Sequence, residues 1–153
     1  MKLSSVNKGT YVCAKFTDET LDALCNLQES LQLYDAVARH KIHSTICYSR
    51  VNIPFVAREP EPILISNRNW LEVWDTPSGK TLVLMMDSEH LKERHKYTEI
   101  LGGTYDFPEY KPHLTLAYDI GARHIELKDV DIPIVALYED VEDLDLDWIE
   151  NNS

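Results

Sequence analysis

Basic residues are scarce in this chain. It has 153 residues, with 15 Lys and Arg against 26 Asp and Glu, and a formal net charge of −11. Long nucleic acids are held chiefly by neutralising phosphates with Lys and Arg, so this balance argues against a duplex-binding protein and against long RNA. Long apolar runs are also missing. Nowhere do 18 apolar residues follow one another, so no membrane span is expected. The first eight residues hold no apolar stretch of the kind a signal peptide needs. Cysteine is limited to Cys13, Cys25 and Cys47, an odd number in apolar surroundings with no metal-site spacing. Reduced core thiols and a cytosolic protein are expected. Hydrophobic residues make up 44% of the chain, enough for a buried interior and a single domain.

What is present is one short phrase written twice. Residues 41–48 read Lys41-Ile42-His43-Ser44-Thr45-Ile46-Cys47-Tyr48, and residues 111–118 read Lys111-Pro112-His113-Leu114-Thr115-Leu116-Ala117-Tyr118. Lys, His, Thr and Tyr recur at the same offsets. Alternate residues of a strand share a face, so Lys, His and Thr of each copy point one way, and Tyr48 and Tyr118 are expected on the opposite, core side.

The surroundings repeat as well. A strand at 10–16, with Val12, Ala14 and Phe16 alternating against Tyr11, Cys13 and Lys15, leads to a helix at 17–33. Thr17 suits its N-cap, and Leu21, Leu24, Cys25, Leu27 and Leu31 form its apolar stripe. In the second half a strand at 81–86 leads to a helix at 89–101, capped by Asp87 or Ser88 and stopped by Gly102-Gly103. Residues 63–65, 70–74 and 132–138 read as further strands, and Pro77-Ser78-Gly79 as a hairpin turn. From Tyr11 to His43 is 32 residues, and from Leu82 to His113 is 31. The expectation is an α+β fold of two internally duplicated lobes, about 1–62 and 63–138, with an acidic C-terminal tail at 139–153. Two antiparallel sheets related by an approximate two-fold axis would form a central cleft, with the helices outside.

Two histidines facing one another suit acid–base chemistry on a phosphodiester. One neutral imidazole takes a proton from the attacking hydroxyl, and the other, protonated, gives one to the leaving oxygen. Each threonine hydroxyl can donate to a non-bridging phosphate oxygen. Lys41 and Lys111 can add positive potential. Seven of the eleven excess negative charges lie between Glu139 and Glu150, so a local basic cleft is compatible with the acidic whole. No metal site is expected: His40 and His43 lack a third ligand nearby, and His90 and His95 do not share a helix face. His40, His90, His95 and His124 are assigned to surface or core.

The two motifs His43-Ser44-Thr45-Ile46 and His113-Leu114-Thr115-Leu116 resemble those of the two-histidine (2H) phosphoesterase superfamily, whose members include RNA-ligase-like cyclic phosphodiesterases. The lobed duplication extends the resemblance over most of the chain. The small acidic whole, with Tyr11 early and Glu142 and Trp148 late, looks most like the phage anti-CBASS nuclease branch, which degrades cyclic di- and trinucleotide signals. The resemblance implies a catalytic tetrad of His43, Thr45, His113 and Thr115. It implies no metal or cofactor, and attack by a ribose 2′-hydroxyl on a 3′–5′ linkage in the host bacterial cytoplasm. It points to Tyr11, Trp74 and Trp148 for stacking on purines and to Glu142 for accepting from an adenine amino group. Which histidine is base and which is acid is open at this level. Two other functions stay in contention: RNA-end processing at 2′,3′-cyclic phosphates or 2′–5′ linkages, and a sponge that binds cyclic nucleotides without cutting them.

Overall fold

The computed structural model describes residues 8–146. Eight strands and two helices follow in the order β1 (Lys8–Phe16), α1 (Asp18–Ser30), β2 (Ser44–Ser49), β3 (Ile63–Ser66), β4 (Asn69–Thr76), β5 (Gly79–Met86), α2 (Glu89–Ile100), β6 (His113–Ala117), β7 (Asp129–Val130) and β8 (Ile134–Asp145). They form two four-stranded antiparallel sheets, β2-β1-β8-β3 and β6-β5-β4-β7. The two-lobed α+β architecture expected from the repeat is present. No helix among the described residues is long and apolar enough to cross a membrane.

Local signals set most element ends. Thr17 caps α1 by accepting from the Thr20 amide at 3.3 Å, and Ser88 caps α2 by accepting from the Leu91 amide at 3.1 Å. Gly79 takes φ +124, the left-handed value that lets the chain turn from β4 into β5. The end of the chain differs from expectation. The acidic stretch does not leave the body as a tail at residue 139: β8 runs on to Asp145, and Glu139 to Asp145 pair with β1. Backbone pairing is indifferent to side-chain charge, and Val141, Glu142 and Asp143 are exposed. Because β3 and β8 join the sheet of β1 and β2, the sheets do not divide the chain at residue 62.

The two His-Thr strands, β2 and β6, are the edge strands that meet. Ser44 Oγ donates to the His113 carbonyl at 2.6 Å, and the Tyr110 hydroxyl donates to the Thr45 carbonyl at 2.8 Å. Both strands carry a bulge at the same place in the phrase. Val12 faces Cys47 and Cys13 faces Thr45, so Ile46 is skipped. Leu82 faces Ala117 and Val83 faces Thr115, so Leu116 is skipped. The extra residue reverses the alternation: Ile46 and Cys47 are both buried, as are Leu116 and Ala117. Tyr48 and Tyr118 are therefore not core residues. Tyr48 turns to the cleft beside Tyr11, and Tyr118 is exposed.

A bulged carbonyl in a buried place needs a donor. The Leu116 carbonyl receives one from Gln28 Nε2 of α1 at 2.9 Å, and the same amide donates to the Val37 carbonyl at 3.0 Å. The Ile46 carbonyl receives one from His95 Nδ1 of α2 at 2.8 Å, with the His95 ring stacked on Tyr110 at 4.0 Å. Gln28→Leu fills similar space but leaves the Val37 carbonyl without its donor, while the Leu116 carbonyl keeps its bond from the Val37 amide at 2.9 Å. It is expected to lower stability by about 1–2 kcal/mol, read as a reduced urea midpoint with an unchanged slope.

Behind the cleft lies one continuous apolar cluster drawn from both sheets and both helices, including Val12, Leu24, Ile46, Leu84, Leu91, Leu114 and Leu116.

Candidate active site

Each histidine is set by the residue two places before it. His43 Nδ1 lies 2.7 Å from the Lys41 carbonyl, and His113 Nδ1 lies 2.7 Å from the Lys111 carbonyl. A carbonyl only accepts, so Nδ1 carries the hydrogen in both rings. That leaves each Nε2 as the working nitrogen: a lone pair when the ring is neutral, a donor when it is protonated. The repeated Lys at this position thus supplies a backbone acceptor, which any residue could supply. Both lysine side chains are exposed, and of the two Lys111 lines the cavity between the sheets.

The strand alternation holds up to the threonines. His43, Thr45, His113 and Thr115 are half-buried, while Ser44, Ile46, Leu114 and Leu116 between them are buried. Thr45 Oγ1 is 2.9 Å from the Tyr11 hydroxyl, and the Tyr11 ring meets His43 edge-on at 6.3 Å. Burial, chiefly, pushes the Tyr11 phenol well above its ordinary value, so it keeps its proton. Either hydroxyl can donate in this pair; when Tyr11 does, the threonine's own hydrogen is free for a ligand. Glu142 is the cross-strand partner of Tyr11 and shares its face. Trp74 rests against His113, ring centres 4.5 Å apart. Trp148 lies outside the described residues.

The cavity between these strands has a volume of about 830 Å³. Thr45, Thr115, His113 and Trp74 line it. So do Tyr48, Tyr105, Phe107 and Pro108, none of which the sequence marked. Tyr48 is reachable only through the bulge. Tyr105 and Phe107 sit on an irregular loop with no periodicity to read, yet Phe107 leaves an aromatic ring largely exposed at the cleft. A smaller hollow of about 410 Å³, beside Arg68 and Asp129, contains none of the repeated residues.

Burial, and secondarily the proximity of His43, lowers the proton affinity of His113, outweighing its bond to the Lys111 carbonyl and the charge of Glu72. The shift favours the neutral form of the His113 ring. Cys13 and Cys47 are pushed up to about 11, mainly by burial, and are protonated, unreactive thiols. Among the described residues no three His, Cys, Asp or Glu side chains are grouped as a metal ion requires.

The family described as Anti-CBASS protein Acb1 matches residues 8–151. A protein of Salmonella phage S16, named Anti-CBASS protein Acb1, is 46% identical over 151 residues, covering 99% of this chain and 98% of the relative. TT0787 of Thermus thermophilus superposes with a TM-score of 0.64 at 14% identity, covering 86% of each chain. Escherichia coli LigT, solved in complex with 3′-AMP, superposes at 0.54 with 11% identity, covering 89% of this chain and 87% of that one. At such identities the last two likenesses are of fold: the chain shares the two-lobed LigT-like architecture.

Proposed function

The chain belongs to the Acb1 family of anti-CBASS proteins, and from that premise we propose that it is a metal-independent phosphodiesterase that opens cyclic di- and trinucleotide signals of antiphage defence. The observation that carries the reading is the pair of imidazoles with the same tautomer, each two residues from a threonine, on two strands stitched together beside a cavity that His113 and both threonines line. The LigT fold relative is a nucleotide complex, and a cavity of about 830 Å³ accommodates a ligand of cyclic-dinucleotide size.

His113, its neutral form favoured, is the base. Its Nε2 takes the proton of the ribose 2′-hydroxyl as that oxygen bonds to phosphorus. The bond from phosphorus to the 5′-oxygen breaks, and His43, as imidazolium, gives its Nε2 proton to that oxygen. The first product is a linear nucleotide ending in a 2′,3′-cyclic phosphate. Thr45 and Thr115 donate to the two non-bridging oxygens as charge builds on them. Trp74, Tyr48, Tyr105 and Phe107, all in the cavity lining, offer ring faces to the bases. Tyr11 orients Thr45, Glu142 accepts from a base amino group, Lys111 supplies positive potential at the cavity, and Trp148 adds a further aromatic.

Incubation with a panel of 3′3′-cyclic dinucleotides and cyclic trinucleotides in EDTA should yield linear products on chromatography. Return of every ligand unchanged by folded protein would remove the enzyme reading and leave sequestration. The same assay run across pH tests the assignment of the base. The rate needs neutral His113, so it falls as pH drops through a midpoint below the ordinary imidazole value of about 6.5. An acid limb above that value would overturn the assignment.

A further inference from the structure

The cleft face of the second sheet carries a carboxylate where an anionic ligand is proposed to enter. Trp70, Glu72 and Trp74 alternate on one face of β4. Glu72 faces Val83, which in turn faces Thr115 on β6, so this is the face of the catalytic pair. A free carboxylate there would repel a phosphodiester, yet both of its oxygens are occupied. Oε2 accepts from the Trp70 indole at 2.8 Å, and Oε1 accepts from the Trp74 indole at 2.9 Å.

We propose that Glu72 is a positioning residue: by bridging both indoles it fixes Trp74 as a rigid plate against His113, with its ring face presented to a purine of the ligand. An indole side chain has two free torsions, and ordering them in advance removes that entropy cost from binding. Trp70 completes the bridge from the far side, where it is itself 36% exposed. The presentation to a purine rests on the cyclic-nucleotide reading; the lock on Trp74 does not.

The bridge also has an electrostatic arm. The two indole bonds, the Trp74 one foremost, hold Glu72 below the usual carboxylate range, with Lys111 and His113 adding to the effect. The groups bearing on His113 are Glu72 on β4, which favours its proton, His43 before β2, which opposes it, and the Lys111 carbonyl, which favours it. Removing the charge of Glu72 therefore lowers the titration midpoint of His113 further.

The test begins on ligand-free protein, by nuclear magnetic resonance of Glu72→Gln, Glu72→Ala and Trp70→Phe. Glutamine keeps the shape but offers one acceptor and no charge. In Glu72→Gln the His113 midpoint should fall, and at least one indole N–H should exchange with solvent at least tenfold faster. In Trp70→Phe, which spares the charge, the His113 midpoint should hold. Glu72→Ala on a His43→Ala background should bind 3′3′-cyclic dinucleotide about tenfold more weakly with an unchanged urea midpoint. Unchanged indole exchange and an unchanged His113 midpoint in Glu72→Gln would overturn the proposal. Shifts in the free protein with no binding or cleavage of any cyclic nucleotide would sustain the lock and remove the substrate reading instead.

Discussion

Replacing His113 by alanine is expected to slow cleavage of a cyclic dinucleotide by about a thousandfold or more, and replacing His43 to do the same. The two rings act on opposite ends of one proton transfer, so the double replacement should cost little beyond either single one. Binding should survive in all three variants. The aromatic walls and the threonine hydroxyls stay in place, and neither ring belongs to the apolar cluster behind the cleft. Single-turnover rates and the dissociation constant of the uncleaved ligand separate these effects. Retention of more than a tenth of the rate in His113→Ala would show that the imidazole is not a proton-transfer group. Loss of affinity in parallel with rate would mean that the rings hold the ligand rather than cleave it.

The second large effect concerns stability rather than chemistry. Glu139→Ala is expected to cost roughly 3 kcal/mol, because it strands a guanidinium inside the fold. The Glu139 side chain is 2% exposed and takes two bonds from Arg94, each 2.7 Å, together with the Arg58 amide at 3.0 Å. Arg94 itself lies over the rings of Phe55 and Tyr97 at 4.9 and 5.0 Å and donates to the Val56 carbonyl. One carboxylate thus joins β8, α2 and the loop at 54–62. The fall in Tm should be on the order of 10 °C for a chain of this size, with the urea midpoint moving in step. A change within about 0.5 kcal/mol, the range of ordinary surface substitutions, would show that the pair is dispensable.

Glu139 also shows where charge misled the reading of the sequence. A run of acids reads as a solvated tail, but this run contains a strand whose neighbour needs only its backbone, and its first acid is buried against a half-buried partner that lies 45 residues away in sequence. The His-Thr pairs were legible because period-two alternation holds from His43 to Thr45 and from His113 to Thr115. Legibility stops one residue later, at Ile46 and Leu116, where the bulges reverse the faces. Tyr48 was assigned to the core for that reason alone. Tyr105 and Phe107 line the cavity through a loop whose path depends on contacts with His95 and Tyr110, and no local spacing encodes such contacts. Glu72 stood in plain view between two tryptophans, but that both indoles turn toward it is a fact of side-chain geometry.

The bulge carbonyls give the duplication a meaning beyond likeness. Gln28, from the first half, fastens the second catalytic strand, and His95, from the second half, fastens the first. This reciprocity is the signature of an isologous dimer, here contained in one polypeptide. Each imidazole is held by a carbonyl of its own half, but the strand that carries it is fastened by the other half, so the placement of each proton-transfer group draws on both copies. A substitution in one helix is therefore felt first at the active residue of the other half, and the two copies are bound to vary together.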